Sequence, residues 1–218
     1  MPAFGRLYHP DPQDHNFLAR NRPLGVSEMR AYRYWNAEGW WGDQGSVPQC
    51  VAYASVHWLE DGPITHAGPV PIIQPQMLYD AAQAIDPWAG TPHEGTTVRA
   101  AAKILQRLGL IASYHWAFTL DDVVYTVLNH GPVIMGTDWY EGMSDPDAKG
   151  VLHATGANQG GHAWVINGVN VPARMFRMKN SWGRGWNRHG FGLIGFDDIK
   201  QLVENNGEAC LAVEAKTA

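Results

Sequence analysis

A chain of 218 residues that is 45% hydrophobic and 17% charged, with 10 Trp, is long enough to bury a sizeable core, which excludes an intrinsically disordered chain. Its net charge of -5, without any Lys/Arg cluster, excludes the electrostatic footprint of a nucleic-acid binder. The N-terminus M-P-A-F-G-R has no apolar signal core and no apolar run approaches a membrane span, so a soluble chain with no membrane partner and a cytoplasmic location is the expectation.

The first 35 residues, with H-P-D-P-Q-D-H-N and R-N-R-P-L-G, show no period and predict an extended lead segment. Residues 46 to 61 predict a helix with Ser46 as cap and Pro48 in its first turn. Val51, Ala54, Val56, Trp58 and Leu59 make it apolar nearly all round, so it should be buried. A second helix starts at Pro75 and stops at Asp86-Pro87. A third carries Val98, Ala101, Ala102, Leu105 and Leu108 with Gly109 as its C-terminal cap. A fourth runs from a Thr119 cap through Leu120, Val123, Val124, Val127 and Leu128 to Gly131-Pro132.

After Pro132 the period changes. V-I-M-G-T-D-W-Y, H-A-W-V-I-N-G-V, A-R-M-F-R-M-K-N, F-G-L-I-G-F and C-L-A-V-E are short, rich in β-branched and aromatic residues, and divided by Gly, Asn or Pro. They predict strands of an antiparallel sheet or barrel, with one short helix between 197 and 206. Helices first and strands second predict an α+β fold. The expected organisation is a lead over 1–35, a helical lobe over 36–118 and a β-rich lobe over 119–218.

The two cysteines, Cys50 and Cys210, are too few for a disulfide framework or a four-cysteine zinc site, although a single bridge between them is left open. No histidine pair has the H-x-x-x-H spacing of a zinc helix, and neither a P-loop nor a dinucleotide fingerprint is present. Neither metal nor cofactor is expected. Cys50 falls in the first turn of a buried helix, where free N–H groups and the helix dipole favour thiolate over thiol. A cysteine nucleophile needs a base, and the base needs an orienting group. His162 and Asn180 lie on consecutive predicted strands, and a hairpin would set them side by side, facing the helix start.

D-Q-G-S-V-P-Q-C-V-A-Y-A, G-G-H-A-W-V-I-N-G-V and M-K-N-S-W-G-R-G-W-N-R-H-G-F together resemble the three signature blocks of papain-like cysteine peptidases, in the same order. The resemblance implies a two-lobed fold with the active-site cleft between a helical and a β-rich lobe. It implies Cys50 as nucleophile, His162 as general base and acid, and Asn180 as the amide orienting the imidazole. Gln44 is the implied side-chain donor of the oxyanion hole, and Trp182 the indole covering the His–Asn bond. Gln49 and Val51 depart from the family pattern around the nucleophile. His162 also follows Cys50 more closely than the family spacing of roughly 130 to 150 residues. H-E-G-T-T replaces the family's glycine-rich loop, with Gly95 and Thr96 as candidates for that cleft wall. The lead is too short and aperiodic for a helical inhibitory prodomain.

The resemblance implies peptide-bond hydrolysis through a Cys50 thioester, with a peptide or protein as substrate and a proteinaceous inhibitor as a further partner. Two alternatives stay open: a Cys-dependent acyl transferase or deamidase on the same triad, and an inactive peptide-binding relative. By position, Gly136, Ala163 and Ala215 line the pocket for the substrate side chain two before the cut. Their small size leads to the expectation of a pocket without charge at its floor, preferring a bulky apolar residue and offering arginine no acidic partner.

Overall fold

The computed structural model describes residues 3–19, 30–35, 39–63 and 70–214. Helix α1 (Cys50–Asp61) is buried at every position except Tyr53. It begins later than expected, because residues 44–49 form a turn of their own: Val47 N–H donates to the Gln44 carbonyl and Gln49 N–H to that of Val47. Gln49 therefore precedes the helix, no side chain caps it, and Ser46 is not the cap. Cys50 is thereby the first helical residue.

Helices α2 (Pro75–Gln83) and α3 (Val98–Arg107) pack against α1. The Thr97 hydroxyl accepts from Ala100 N–H at the start of α3, and the Thr119 hydroxyl accepts from Asp122 N–H at the start of α4 (Leu120–Asn129). Each satisfies a donor that the helix leaves free. A short α5 (Glu141–Ser144) and α6 (Phe196–Glu204) complete the helices.

The strands are β1 (Tyr32–Tyr34), β2 (Ile111–Ala117), β3 (Val133–Tyr140), β4 (Val151–Leu152), β5 (Asn158–Asn170), β6 (Met175–Lys179), β7 (Phe191–Gly195) and β8 (Glu208–Glu214). They form one sheet in the order β2-β8-β3-β5-β6-β7-β4, with β1 paired to β5. Pairing is antiparallel except between β4 and β7, which run parallel. The result is an α+β fold in which two strands, β1 and β2, arise before Pro132.

Two buried clusters form the cores. One gathers Trp58, Leu78, Leu105 and Trp116 among the helices, and the other gathers Trp139, Trp164, Phe176 and Ile199 about the sheet. Between them α1 lies on β5. A buried ion pair fixes that contact: Lys179 Nζ is 2.7 Å from Asp61 Oδ1, and Asn167 Nδ2 donates to Asp61 Oδ2 at 2.6 Å. Cys50 and Cys210 are both buried and free, so no bridge joins them. No helix among the described residues is long and apolar enough to cross a membrane.

The lead is more than extended chain. Gly5 and Arg6 donate backbone N–H bonds to the Gly161 carbonyl on β5, both at 3.0 Å. On the other side, Thr96 N–H donates to the Gly5 carbonyl and Leu7 N–H to that of Thr96, both at 2.9 Å. Residues 5–7 thus run extended, bonded to Gly161 on one side and to Thr96 on the other. Farther on, a 3-10 turn (Pro12–Asn16) follows, capped by the Asp11 carboxylate.

Candidate active site

The start of α1 and β5 carry the two candidate reactive groups, Cys50 and His162. The backbones of Ala163, Val51 and Gly5 lie at the Cys50 thiol and oppose the effect of its burial. The Ala163 contact sets the sulfur beside the residue that follows His162. On the far side of the imidazole, His162 Nε2 lies 2.9 Å from Asn180 Oδ1, which also accepts from Ser181 N–H at 2.8 Å. With Oδ1 acting as acceptor to both, Nε2 carries the proton and Nδ1 keeps its lone pair. That Nδ1 is buried and has no hydrogen-bond partner. A buried basic nitrogen with nothing to accept from is a proton acceptor in waiting.

Burial sets the charge state of the pair. It pushes the Cys50 thiol up to about 12, with the backbone contacts opposing it, and His162 down to about 4, with the Asn180 bond opposing. Burial thus favours the neutral thiol and the neutral imidazole in the covered site.

Gln44 is fixed in turn by the segment just after β6 that carries Asn180. Its backbone N–H donates to the Ser181 carbonyl at 2.8 Å, and its Oε1 accepts from the Ser181 hydroxyl at 2.5 Å. This leaves Nε2 to donate to the Val47 carbonyl at 2.9 Å and to the Ala3 carbonyl at 3.0 Å. A peptide carbonyl therefore already rests on the donor that the family resemblance makes an oxyanion donor.

Aromatic rings close the other face. Trp182 lies over His162 with ring centroids 5.0 Å apart, and Trp139 meets the imidazole edge-on at 4.8 Å. Phe4, from the lead, meets the same ring edge-on at 5.8 Å. Water is thereby kept from the His162–Asn180 bond.

The cleft walls fall as follows. Gly95 and Thr96 border residues 5–7, and a Cβ at Gly95 would stand 2.3 Å from the Gly5 carbonyl oxygen. Gly136 and Ala163 are partners across β3 and β5. Ala215 lies outside the described residues. Gly136 is also the register partner of Glu208 on β8, and Glu208 Oε1 lies 3.3 Å from Arg6 Nε.

Sequence reasoning missed Ala3 to Leu7, Ser181, Trp139 and Glu208. Trp139 had a signal, since it lies in the predicted strand V-I-M-G-T-D-W-Y next to that of His162. Ser181 follows Asn180 directly. The other two depend on contacts between distant parts of the chain. Among the described residues, no group of three or more His, Cys, Asp or Glu could hold a metal ion.

Helices packed on this mostly antiparallel sheet, with Cys50 at the start of a buried helix and His162 on β5 bonded to Asn180 just after β6, make up the fold of the papain-like cysteine proteases. Solved structures share it: xylellain, a cysteine protease from Xylella fastidiosa, superposes with a TM-score of 0.79 at 17% identity over 99% of this chain and 98% of its own. Bromelain from Ananas comosus, in complex with the E64 inhibitor, has a TM-score of 0.65 at 14% identity over 85% and 100%. Digestive procathepsin L 3 of Tenebrio molitor larval midgut has a TM-score of 0.65 at 16% identity over 97% and 75%. No protein-family profile matches the chain, and neither does any curated protein sequence.

Proposed function

We propose that this chain is a cysteine endopeptidase that hydrolyses peptide bonds through a thioester on Cys50. The observation that carries the reading is the unpartnered Nδ1 of His162, held by Asn180 through Nε2, on the residue preceding the Ala163 contact to the thiol. Once the cleft admits substrate, Nδ1 takes the thiol proton and the Cys50 sulfur attacks the peptide carbonyl. Gln44 Nε2 and the Cys50 N–H stabilise the oxyanion. The C–N bond breaks as the His162 proton passes to the leaving amine. Water, deprotonated by His162, then cleaves the thioester to give the acid and restore the thiol.

The covered form is the resting state in this reading. Ala3 supplies a carbonyl to Gln44, and Phe4 lies against His162, where a substrate would lie. The partners are a peptide or protein substrate and, as a second class, a proteinaceous inhibitor. Amide ligation or deamidation on the same triad is the alternative chemistry, and inert peptide binding the alternative function. The free Nδ1 favours catalysis over inert binding, since a binding cleft has no use for a buried unpartnered base.

Incubation with a mixed peptide library and with an epoxysuccinyl thiol-protease inhibitor tests the proposal. Hydrolysis products together with stoichiometric labelling at Cys50 are expected. Transfer to added amines without hydrolysis would favour the acyl transferase, and neither labelling nor turnover would favour the binding module.

A further inference from the structure

The loop between α2 and α3 carries Thr96, whose N–H and carbonyl are paired with the extended chain at Gly5 and Leu7. Uncharged side chains of α2 hold part of this loop: Tyr79 Oη accepts from Gly95 N–H at 2.9 Å, and Gln83 Nε2 donates to the His93 and Gly95 carbonyls at 3.1 and 3.0 Å. A further tie is ionisable. Asp86 Oδ2 accepts from the Thr96 hydroxyl at 2.9 Å, and His93 Nε2 lies 3.0 Å from the same oxygen. His93 Nδ1 lies 2.9 Å from the Thr91 carbonyl oxygen. A carboxylate and a carbonyl only accept, so both ring nitrogens carry a proton and the imidazole is a cation. The Asp86 side chain is fully buried, and its other oxygen accepts from Trp88 N–H at 3.0 Å. Cation, buried carboxylate and Thr96 thus form one clasp across the H-E-G-T-T segment.

We propose that His93 is a positioning residue: as the imidazolium it holds Asp86 on Thr96, and losing its proton loosens the backbone edge on which an extended peptide pairs. That the peptide is a substrate rests on the peptidase reading, whereas the clasp does not. The Thr91 carbonyl, and after it Asp86, push His93 above its ordinary 6.5 against the effect of its partial burial. The clasp is therefore complete below pH 6.5 and is lost as pH rises through the higher folded value. Above that value the Asp86 carboxylate is buried without its contact cation. The other ionisable groups around the clasp are Tyr79 on α2, Glu94 next to His93, His9 and Asp11 on the lead, and Arg99 and Lys103 on α3. Arg99 donates to the His9 carbonyl and to Asp14, so it does not stand in for His93. His9 meets the Trp88 ring, which also meets His93, and this makes His9 the control.

The test uses the full chain. Long-range nitrogen–proton spectra of the imidazoles, with His93 assigned by its absence in His93→Gln, should give a midpoint above 6.5. Asp86→Asn should lower that midpoint by about half a pH unit or more, because an amide no longer favours the cation. Binding is read by calorimetry in a chain with Cys50→Ala to prevent turnover and Gly5→Ala to free Thr96, because a Cβ at Gly5 would sit 2.1 Å from the Pro48 carbonyl oxygen. The probe is the blocked peptide A-F-G-R-L-Y, the chain's own residues 3–8, titrated at pH values on both sides of the midpoint. Its affinity should fall about tenfold as pH rises across the midpoint, the scale of losing a hydrogen bond to a charged group. His93→Gln should abolish the fall, and His9→Gln should keep it. A midpoint at or below 6.5, a midpoint unmoved by Asp86→Asn, a fall that survives His93→Gln, or no binding at any pH would overturn the proposal. A clasp that titrates and binds as stated, in a chain whose Cys50 form hydrolyses no peptide, would sink the peptidase reading alone. Hydrolysis through Cys50 together with an affinity that ignores the midpoint would sink the clasp alone.

Discussion

Gly5 lies against the Pro48 carbonyl so closely that any Cβ on it would be 2.1 Å from the oxygen. Glycine is thus the residue that lets the N-terminal strand rest on the turn before Cys50. Gly161 makes a similar approach, since a Cβ there would be 2.2 Å from the Arg6 carbonyl oxygen. Gly5→Ala should lift the strand and expose the thiol. Alkylation of Cys50 by iodoacetamide at pH 8, followed by mass spectrometry, should then accelerate by about tenfold or more, because a buried thiol at about 12 is ionised in only about one molecule in 10⁴. An unchanged rate would mean that the strand does not gate the sulfur.

Gln44 is tied to Ser181 through both its backbone and its side chain, which aims Nε2 at one place. In the Gly5→Ala chain, Gln44→Ala should lower kcat by roughly 10²-fold, the scale of losing one oxyanion donor, with little change in KM. Steady-state kinetics on one peptide check this. A change confined to KM would make Gln44 a binding residue.

Much of this arrangement was legible in the residues. The start of α4 follows from Thr119, α3 from its apolar series beginning at Val98, and β3 from its apolar, β-branched run, because these features are local. The start of α1 was misread because Ser46 and Pro48 form a helix-start pattern that the 44–49 turn uses for itself. Strand β2 was missed because I-A-S-Y-H-W-A pairs with β8, nearly a hundred residues on, and carries no turn signal of a hairpin. The pairing of Arg6 with Glu208 was hidden for the same reason. Arg6 and Glu208 are 202 positions apart, and only the closing of the sheet brings Glu208 beside Gly136.

The pH dependence has a definite sign. His162 is held at about 4 against an ordinary 6.5, so between those values the unfolded chain binds a proton that the covered site refuses. Its contribution is complete above pH 6.5 and is lost as pH falls toward 4. Cys50, at about 12 against 9, acts in the opposite direction: its contribution is complete below pH 9 and lost as pH rises toward 12. Urea unfolding of the wild-type chain and His162→Gln at several pH values should give a stability difference that is flat from pH 6.5 to 8. Below 6.5 it should shift against the wild type. A flat difference down to pH 4 would mean that His162 titrates normally.

Lys179 and Asp61 are both fully buried and 2.7 Å apart, and Lys179 directly precedes Asn180. Lys179→Met would leave the Asp61 carboxylate without its cation and should cost about 3–5 kcal/mol in urea unfolding. Asp61→Asn on top of it should recover part of the loss. A cost below about 1 kcal/mol, the scale of an exposed pair, would contradict the pair's burial.

Acid-quenched intact mass spectrometry of the Gly5→Ala chain, mixed with an excess of a chromogenic peptide ester, tests the Cys50 thioester most directly. Within the first turnover the chain should gain the mass of one acyl group, mapped to the peptide containing Cys50, and lose it as the acid product accumulates. Cys50→Ala, which removes a nucleophile and little buried volume, should fold as the parent does and show neither adduct nor product. Product without an adduct, an adduct on Cys210, or turnover that survives Cys50→Ala would contradict nucleophilic catalysis at this site.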